Sequence, residues 1–200
     1  MPRLEEVEHY LRGIVMLLRG NPEGLRWLDI SMRGFWRSWW AVLFALPPVL
    51  LNWVAFRIVY LDQLPAGARL PNYFYLKLLL VEASAWIVPA VAIVLLAKVL
   101  RLQEWVIIAL LVASNWLSVP IQWLYSIENL VQFLFPTAYD VAGIFFLAFL
   151  TLSLIAHYRI FAVISAPDRL SPFAIVLVLF FVSFYTQYHV MLLTGLWSPS

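Results

Sequence analysis

The sequence predicts an all-α fold, a polytopic membrane bundle of five transmembrane helices preceded by amphipathic interfacial helices. Three observations lead there. Long apolar runs occupy residues 35–61, 73–100, 105–126, 141–161 and 172–196, and each reaches the roughly 20 residues needed to cross about 30 Å of hydrocarbon. The chain is 64% hydrophobic and only 12% charged, a balance outside that of a soluble core of this size. Lysine and arginine fall almost entirely in alternate gaps between the runs, the pattern of a protein threaded in one orientation.

Residues 1–34 read as a cytoplasmic arm and residues 35–200 as the five-span domain. Leu4, Val7, Leu11, Ile14, Val15 and Leu18 recur at helical spacing, with Glu5, His9, Arg12 and Arg19 on the other side, which describes an amphipathic helix too polar to span. Gly20-Asn21-Pro22-Glu23 reads as a stop and a fresh start, with Asn21 as N-cap, Pro22 at the first helical position and Glu23 at the positive helix end. The second amphipathic helix carries Leu25, Leu28, Met32, Phe35 and Trp39 on one side and Arg26, Arg33 and Arg37 on the other. Both helices are expected to lie apolar side down in the interface, with the three arginines facing a partner or anionic lipid. The opening Met-Pro-Arg-Leu-Glu-Glu lacks the charged stub and apolar core of a cleavable signal peptide.

The first span opens on Trp36, Trp39 and Trp40 and is bent by Pro47-Pro48. Residues 62–72 form a short polar loop. After the third span, residues 128–140 hold an apolar stretch of six (Leu130-Val131-Gln132-Phe133-Leu134-Phe135) before Pro136. It is too short to cross and is expected to lie in the interface or to dip partly into the membrane.

Orientation follows from the cations. Arg3, Arg12, Arg19, Arg26, Arg33 and Arg37, then Lys98 and Arg101, then Arg159 and Arg169, share one side; the other receives Arg69, with Arg57 and Lys77 inside neighbouring span ends. The amino terminus is thus expected in the cytoplasm and the carboxyl terminus in the periplasm or lumen, the host membrane being a bacterial inner membrane. A basic segment beside a membrane is what topology alone produces, so nucleic acid is not among the expected partners; membrane lipids are, with a protein partner or a second copy of the chain. The chain has no cysteine, which removes disulfides and thiolate chemistry.

Ionisable groups in lipid need partners and are functional candidates. Glu82 lies about 13 Å into the second span at 1.5 Å per residue, and Asn115 reaches a similar depth from the opposite side. The pair is expected near the midplane, as inter-helix glue or as a proton-carrying or substrate-binding centre. A second polar group, Arg57, Lys77, Asp140, Gln187 and His189, gathers toward the outer face, either as a shared pocket or as snorkelling cations and inter-helix bonds. His9, His157 and His189 are too scattered to share a metal or haem. No paired-His zinc motif, glycine-rich phosphate loop or nucleophile elbow occurs, so neither cofactor nor catalytic residue is expected.

The amphipathic arm, the five spans and the basic hinge from Tyr158-Arg159 to Arg169 between the last two resemble the Yip family of five-span membrane proteins. That resemblance extends over residues 35–196 in layout and implies a scaffold or membrane-organising role without catalysis. The leading expectation is a non-enzymatic scaffold or accessory subunit. A small transporter or permease component using Glu82 and the outer polar group comes second, and a lipid-modifying enzyme third.

Overall fold

The computed structural model describes residues 2–62, 64, 65, 67, 69–134, 139–166 and 170–197. In order, they form α1 (Leu4–Leu18), a 3-10 segment (Pro22–Trp27), α2 (Met32–Ser38), α3 (Ala41–Asp62), α4 (Phe74–Val99), α5 (Glu104–Leu134), α6 (Tyr139–Ile164) and α7 (Leu170–Leu193). Five helical stretches are long and apolar enough to span a membrane, α2 and α3 counting together as Met32–Asp62.

Helix α5 is the axis of the bundle. In its most apolar window 56% of residues are buried inside the protein, against 11% to 17% in the other four spans. Helices α3 and α5 run parallel: Asn115 Nδ2 donates to Ser38 Oγ (2.8 Å), Trp123 Nε1 to the Phe44 carbonyl (3.3 Å), and Asn129 Nδ2 to Asn52 Oδ1 (2.9 Å). The middle bond has a direct cause. Pro48 has no N–H, so the Phe44 carbonyl four residues earlier lacks its helical donor, and the Trp123 indole takes it, as the lipid phase requires.

Two expectations change. The segment after residue 126 continues α5 without interruption to Leu134 rather than forming a separate element, because Asn129 finds Asn52 within the helix pair and no glycine or proline interrupts residues 121–134. The second arm helix is also divided. Pro22–Trp27 is a 3-10 segment, and α2 begins afresh behind Ser31, whose Oγ accepts from the Gly34 N–H (3.1 Å). The break follows from local bonding, since Asp29 Oδ1 accepts from both N–H and O–H of Ser31 (3.1 and 2.6 Å), an Asx-type turn that competes with helix. Asn21 does cap as expected, its Oδ1 accepting from the Glu23 N–H (2.9 Å).

The arm packs into the bundle. Val7, Tyr10, Ile14 and Leu17 of α1 are buried in one core with Leu110, Trp116 and Phe161, and Tyr10 stacks on Trp116 at 4.6 Å between centroids. The apolar stripe of α1 is therefore split, its inner half against α5 and α6 and its outer residues Leu4 and Val15 exposed. The turn back onto the 3-10 segment needs glycine twice, because a Cβ on Gly13 would meet Trp27 Cβ at 2.7 Å and one on Gly24 would meet the Gly13 carbonyl at 2.6 Å.

Candidate functional site: a polar cavity at mid-span

Helices α4, α5, α6 and α7 enclose a cavity of about 590 Å³. Its walls follow from helical periodicity. On α5, Ser114, Asn115, Ser118 and Gln122 share one stripe; on α6, Ser153 and His157 are four apart; on α7, Ser183 and Gln187 repeat that spacing. Helix α4 closes the cavity with Ala85, Trp86, Pro89, Ala90 and Ile93. Ser118, Ser153 and Ser183 each fall within two residues of the middle of their helix, so the polar lining sits at the depth where polar groups are most costly and most in need of a partner.

The hydrogen bonds on this lining are partly committed. Asn115 spends its amide N–H on Ser38, and Ser118 Oγ donates to the Asn115 carbonyl (2.7 Å). His157 Nδ1 lies 2.8 Å from the Ser153 carbonyl. A carbonyl only accepts, so Nδ1 carries the proton and Nε2 of the neutral ring holds a lone pair. Gln187 Nε2 donates across to the Val81 carbonyl of α4 (3.2 Å) and reaches Ser84 Oγ at 3.4 Å. Pro89, lacking an N–H, takes away the helical donor of the Ala85 carbonyl, and both residues line the cavity. Among the described residues no aspartate, glutamate, lysine or arginine lines it. The set presents neutral donors and acceptors within an otherwise apolar shell.

The structure gives Glu82 and Asn115 separate partners. Asn115 turns to Ser38, while Glu82 accepts from the Trp86 indole at 3.0 Å. Trp86 also lines the cavity, so Glu82 stands behind that wall. The outer group is not drawn together among its described members. Lys77 lies over the Tyr73 ring at 4.9 Å, His189 lies against the Tyr185 ring at 3.9 Å between centroids with the planes tilted by 32° and bonds its carbonyl, Gln187 turns to α4, and Arg57 is exposed. The Asp140 side chain lies outside the described residues. Among the described residues no three His, Asp or Glu side chains are gathered to hold a metal ion.

In the arm, one Arg37 nitrogen donates to both Glu6 oxygens (2.9 and 2.7 Å), holding the Glu6 carboxyl below its ordinary value and tying α1 to α2. Burial pushes the nearby Tyr10 phenol up. Arg26 pairs with Glu23 (2.7 Å), and Arg33 is exposed. Arg26 and Arg33 are exposed and Arg37 is half-buried, so the paired Arg26 still faces outward beside Glu23.

Of the cavity lining, the sequence had pointed to Asn115 and Gln187. Ser114, Ser118, Gln122, Ser153, His157 and Ser183 were missed, although their signal was present as polar residues repeating every four positions inside three separate apolar runs. Fold and cavity together define the class, a five-span helical membrane protein with a neutral polar cavity at mid-span. No family model, curated protein or solved structure matches the chain.

Proposed function

We propose that the protein is a non-catalytic accessory or scaffold protein of the membrane that works by binding, and that the mid-span cavity is where it binds. The observation that carries this is the cavity itself. Its volume lies in the range of about 300 to 1,000 Å³ typical of small-molecule sites, and its few convergent polar groups in an apolar wall are what such sites use for orientation. The Yip-like layout supports the same non-catalytic role. The cation distribution supports an amino terminus in the cytoplasm.

The test is purification in a mild detergent followed by mass spectrometry of retained molecules, for the natural chain and for Ser183→Phe, which fills the cavity from α7. A small molecule or protein partner retained by the first and lost from the second supports the proposal. Nothing retained by either would sink it.

A second reading, a small proton-coupled transporter, is favoured by one contact: Glu82 holds the indole of a cavity-wall tryptophan. Glu82→Gln keeps an acceptor for Trp86 but does not titrate. Proton-coupled flux in reconstituted vesicles that this change abolishes would establish the transporter and displace the leading proposal.

A further inference from the structure

A second hollow adjoins the cavity. On the outer surface of the bundle, α6 and α7 enclose a wholly apolar groove of about 370 Å³ between Ile155 and Tyr158 on one side and Phe173 and Leu177 on the other. Three residues, Leu154, Val176 and Phe180, belong to both groove and cavity. They form the partition between an apolar channel open to lipid and a polar chamber at mid-span. The groove occupies the second half of α6 and the first half of α7, which is the end of the bundle that carries the arm.

This juxtaposition selects a ligand. A phosphate or carboxylate head brought to mid-span requires a cation or a dense set of donors, and among the described residues neither hollow is lined by lysine or arginine. A quaternary ammonium requires a carboxylate or an aromatic cage; among the described residues no carboxylate lines either hollow, and of the cavity's rings, Trp86, Phe146, Phe180 and Phe184, the pair in contact is Phe180 and Phe184 on a single helix, while the polar lining is serine, amide and imidazole. What these groups satisfy is an uncharged hydroxyl or carbonyl. The His157 Nε2 lone pair accepts a hydroxyl proton, and the Gln122 amide both donates and accepts. An apolar chain continuing through the partition lies in the groove and against the surrounding acyl chains.

We propose that cavity and groove form one lipid-binding site, entered sideways between α6 and α7 from the arm-side leaflet. Its ligand is a lipid with an apolar chain and an uncharged hydroxyl or carbonyl end. This inference rests on the binding role proposed above and specifies the class of ligand and its route.

The experiment uses the full chain in nanodiscs and two photoactivatable probes, a long-chain alkanol with a diazirine on its chain and the phosphate monoester of the same alkanol. The alkanol should label peptides of α6 and α7 around Leu154 and Phe180, and the phosphate should label them at least about tenfold less, since a charge left unpaired there is costly. Leu154→Trp narrows the partition and should reduce labelling, whereas Phe180→Ala widens it and should preserve or raise labelling. Misfolding would lower both, so the opposite signs separate blockage from damage. Gln122→Leu together with His157→Phe should weaken alkanol binding about tenfold through two lost neutral hydrogen bonds.

Equal labelling by the phosphate probe would overturn the uncharged ligand. Labelling indifferent to Leu154→Trp would overturn the lateral route. If the purified protein retains a small tail-less molecule that Ser183→Phe loses, and the alkanol does not label, the lipid inference fails while the binding role stands. If no ligand is retained and no probe labels, both fail.

Discussion

The split stripe of α1 sets up a direct test of what holds the arm. Ile14 is 1% exposed and faces α5 and α6; Leu4, on the same helix and of the same size, is 78% exposed. Truncating a buried isoleucine to alanine costs about 2 to 5 kcal/mol, whereas a change at an exposed position away from such packing stays within about 0.5 kcal/mol. If α1 opens as a local unit, even the lower figure raises the open population about 30-fold. Hydrogen exchange of the α1 amides in nanodiscs reads that population directly. Ile14→Ala should speed exchange across α1 by at least that factor while exchange in α5 is unchanged, and Leu4→Ala should leave α1 exchange within about threefold of the natural rate. Were the arm held by lipid on its outer side, as its amphipathic pattern suggests, Leu4→Ala and Val15→Ala would loosen it as much as Ile14→Ala. That result would refute docking of the arm onto the bundle.

Four further outcomes follow from the geometry. Glu6 has a folded pKa below its ordinary value of 4.5 because Arg37 holds the carboxylate, so its contribution is present above about pH 4.5 and is lost as pH falls through the lower folded value; α1 exchange should accelerate over that window in the natural chain and lose this component in Glu6→Gln. Trp123→Phe removes the donor to the Phe44 carbonyl and should lower stability in detergent by about 1 kcal/mol, and an unchanged melting temperature would mean that water or another group serves that carbonyl. Gly13→Ala drives a Cβ against Trp27 and the Gly24 carbonyl and should destabilise the arm by about 1 to 3 kcal/mol, detected as proteolysis near residues 18–24; an intact arm would mean that the crossing has slack. Single cysteines at Gly67 should react with an impermeant thiol reagent applied to intact cells, while those at Gly20 and Gln103 should not; the reverse pattern would invert the orientation.

The spans were legible because the need for about 20 apolar residues is met by composition alone, and with α2 and α3 counted together as Met32–Asp62 four of the five runs end within three residues of a long apolar helical stretch at both ends. The third helix extends farther, through the polar pair Glu128 and Asn129 to Leu134. Their meaning changes once Asn52 stands opposite Asn129. Tertiary partners of this kind are invisible to a linear hydropathy reading, and the docking of α1 is another. An apolar stripe of that width serves equally against lipid or protein, and only Tyr10 meeting Trp116 decides. Depth alone placed Glu82 and Asn115 together, but rotation about each helix axis sends one to Trp86 and the other to Ser38.

The order of burial among the spans explains why the cavity was the hardest part to read. The least apolar span, α5, is the most buried, and the most apolar, α4, is the least, an inversion of the rule for soluble proteins. In lipid the outside is as apolar as the inside, so hydrophobicity does not sort a helix face inward. What sorts it is a polar group that requires a partner or a small residue that permits close approach. Helix α5 has both: Ala109 and Ala113 are fully buried, and Asn115, Ser118 and Gln122 face neighbours rather than lipid. The useful signal in such a chain is therefore the position of its rare neutral polar residues. Where serine, amide and histidine repeat at a helical turn in three separate spans at one depth, they converge on a chamber. Where a lone group such as Glu82 finds a local donor one turn away, it is held within its own helix.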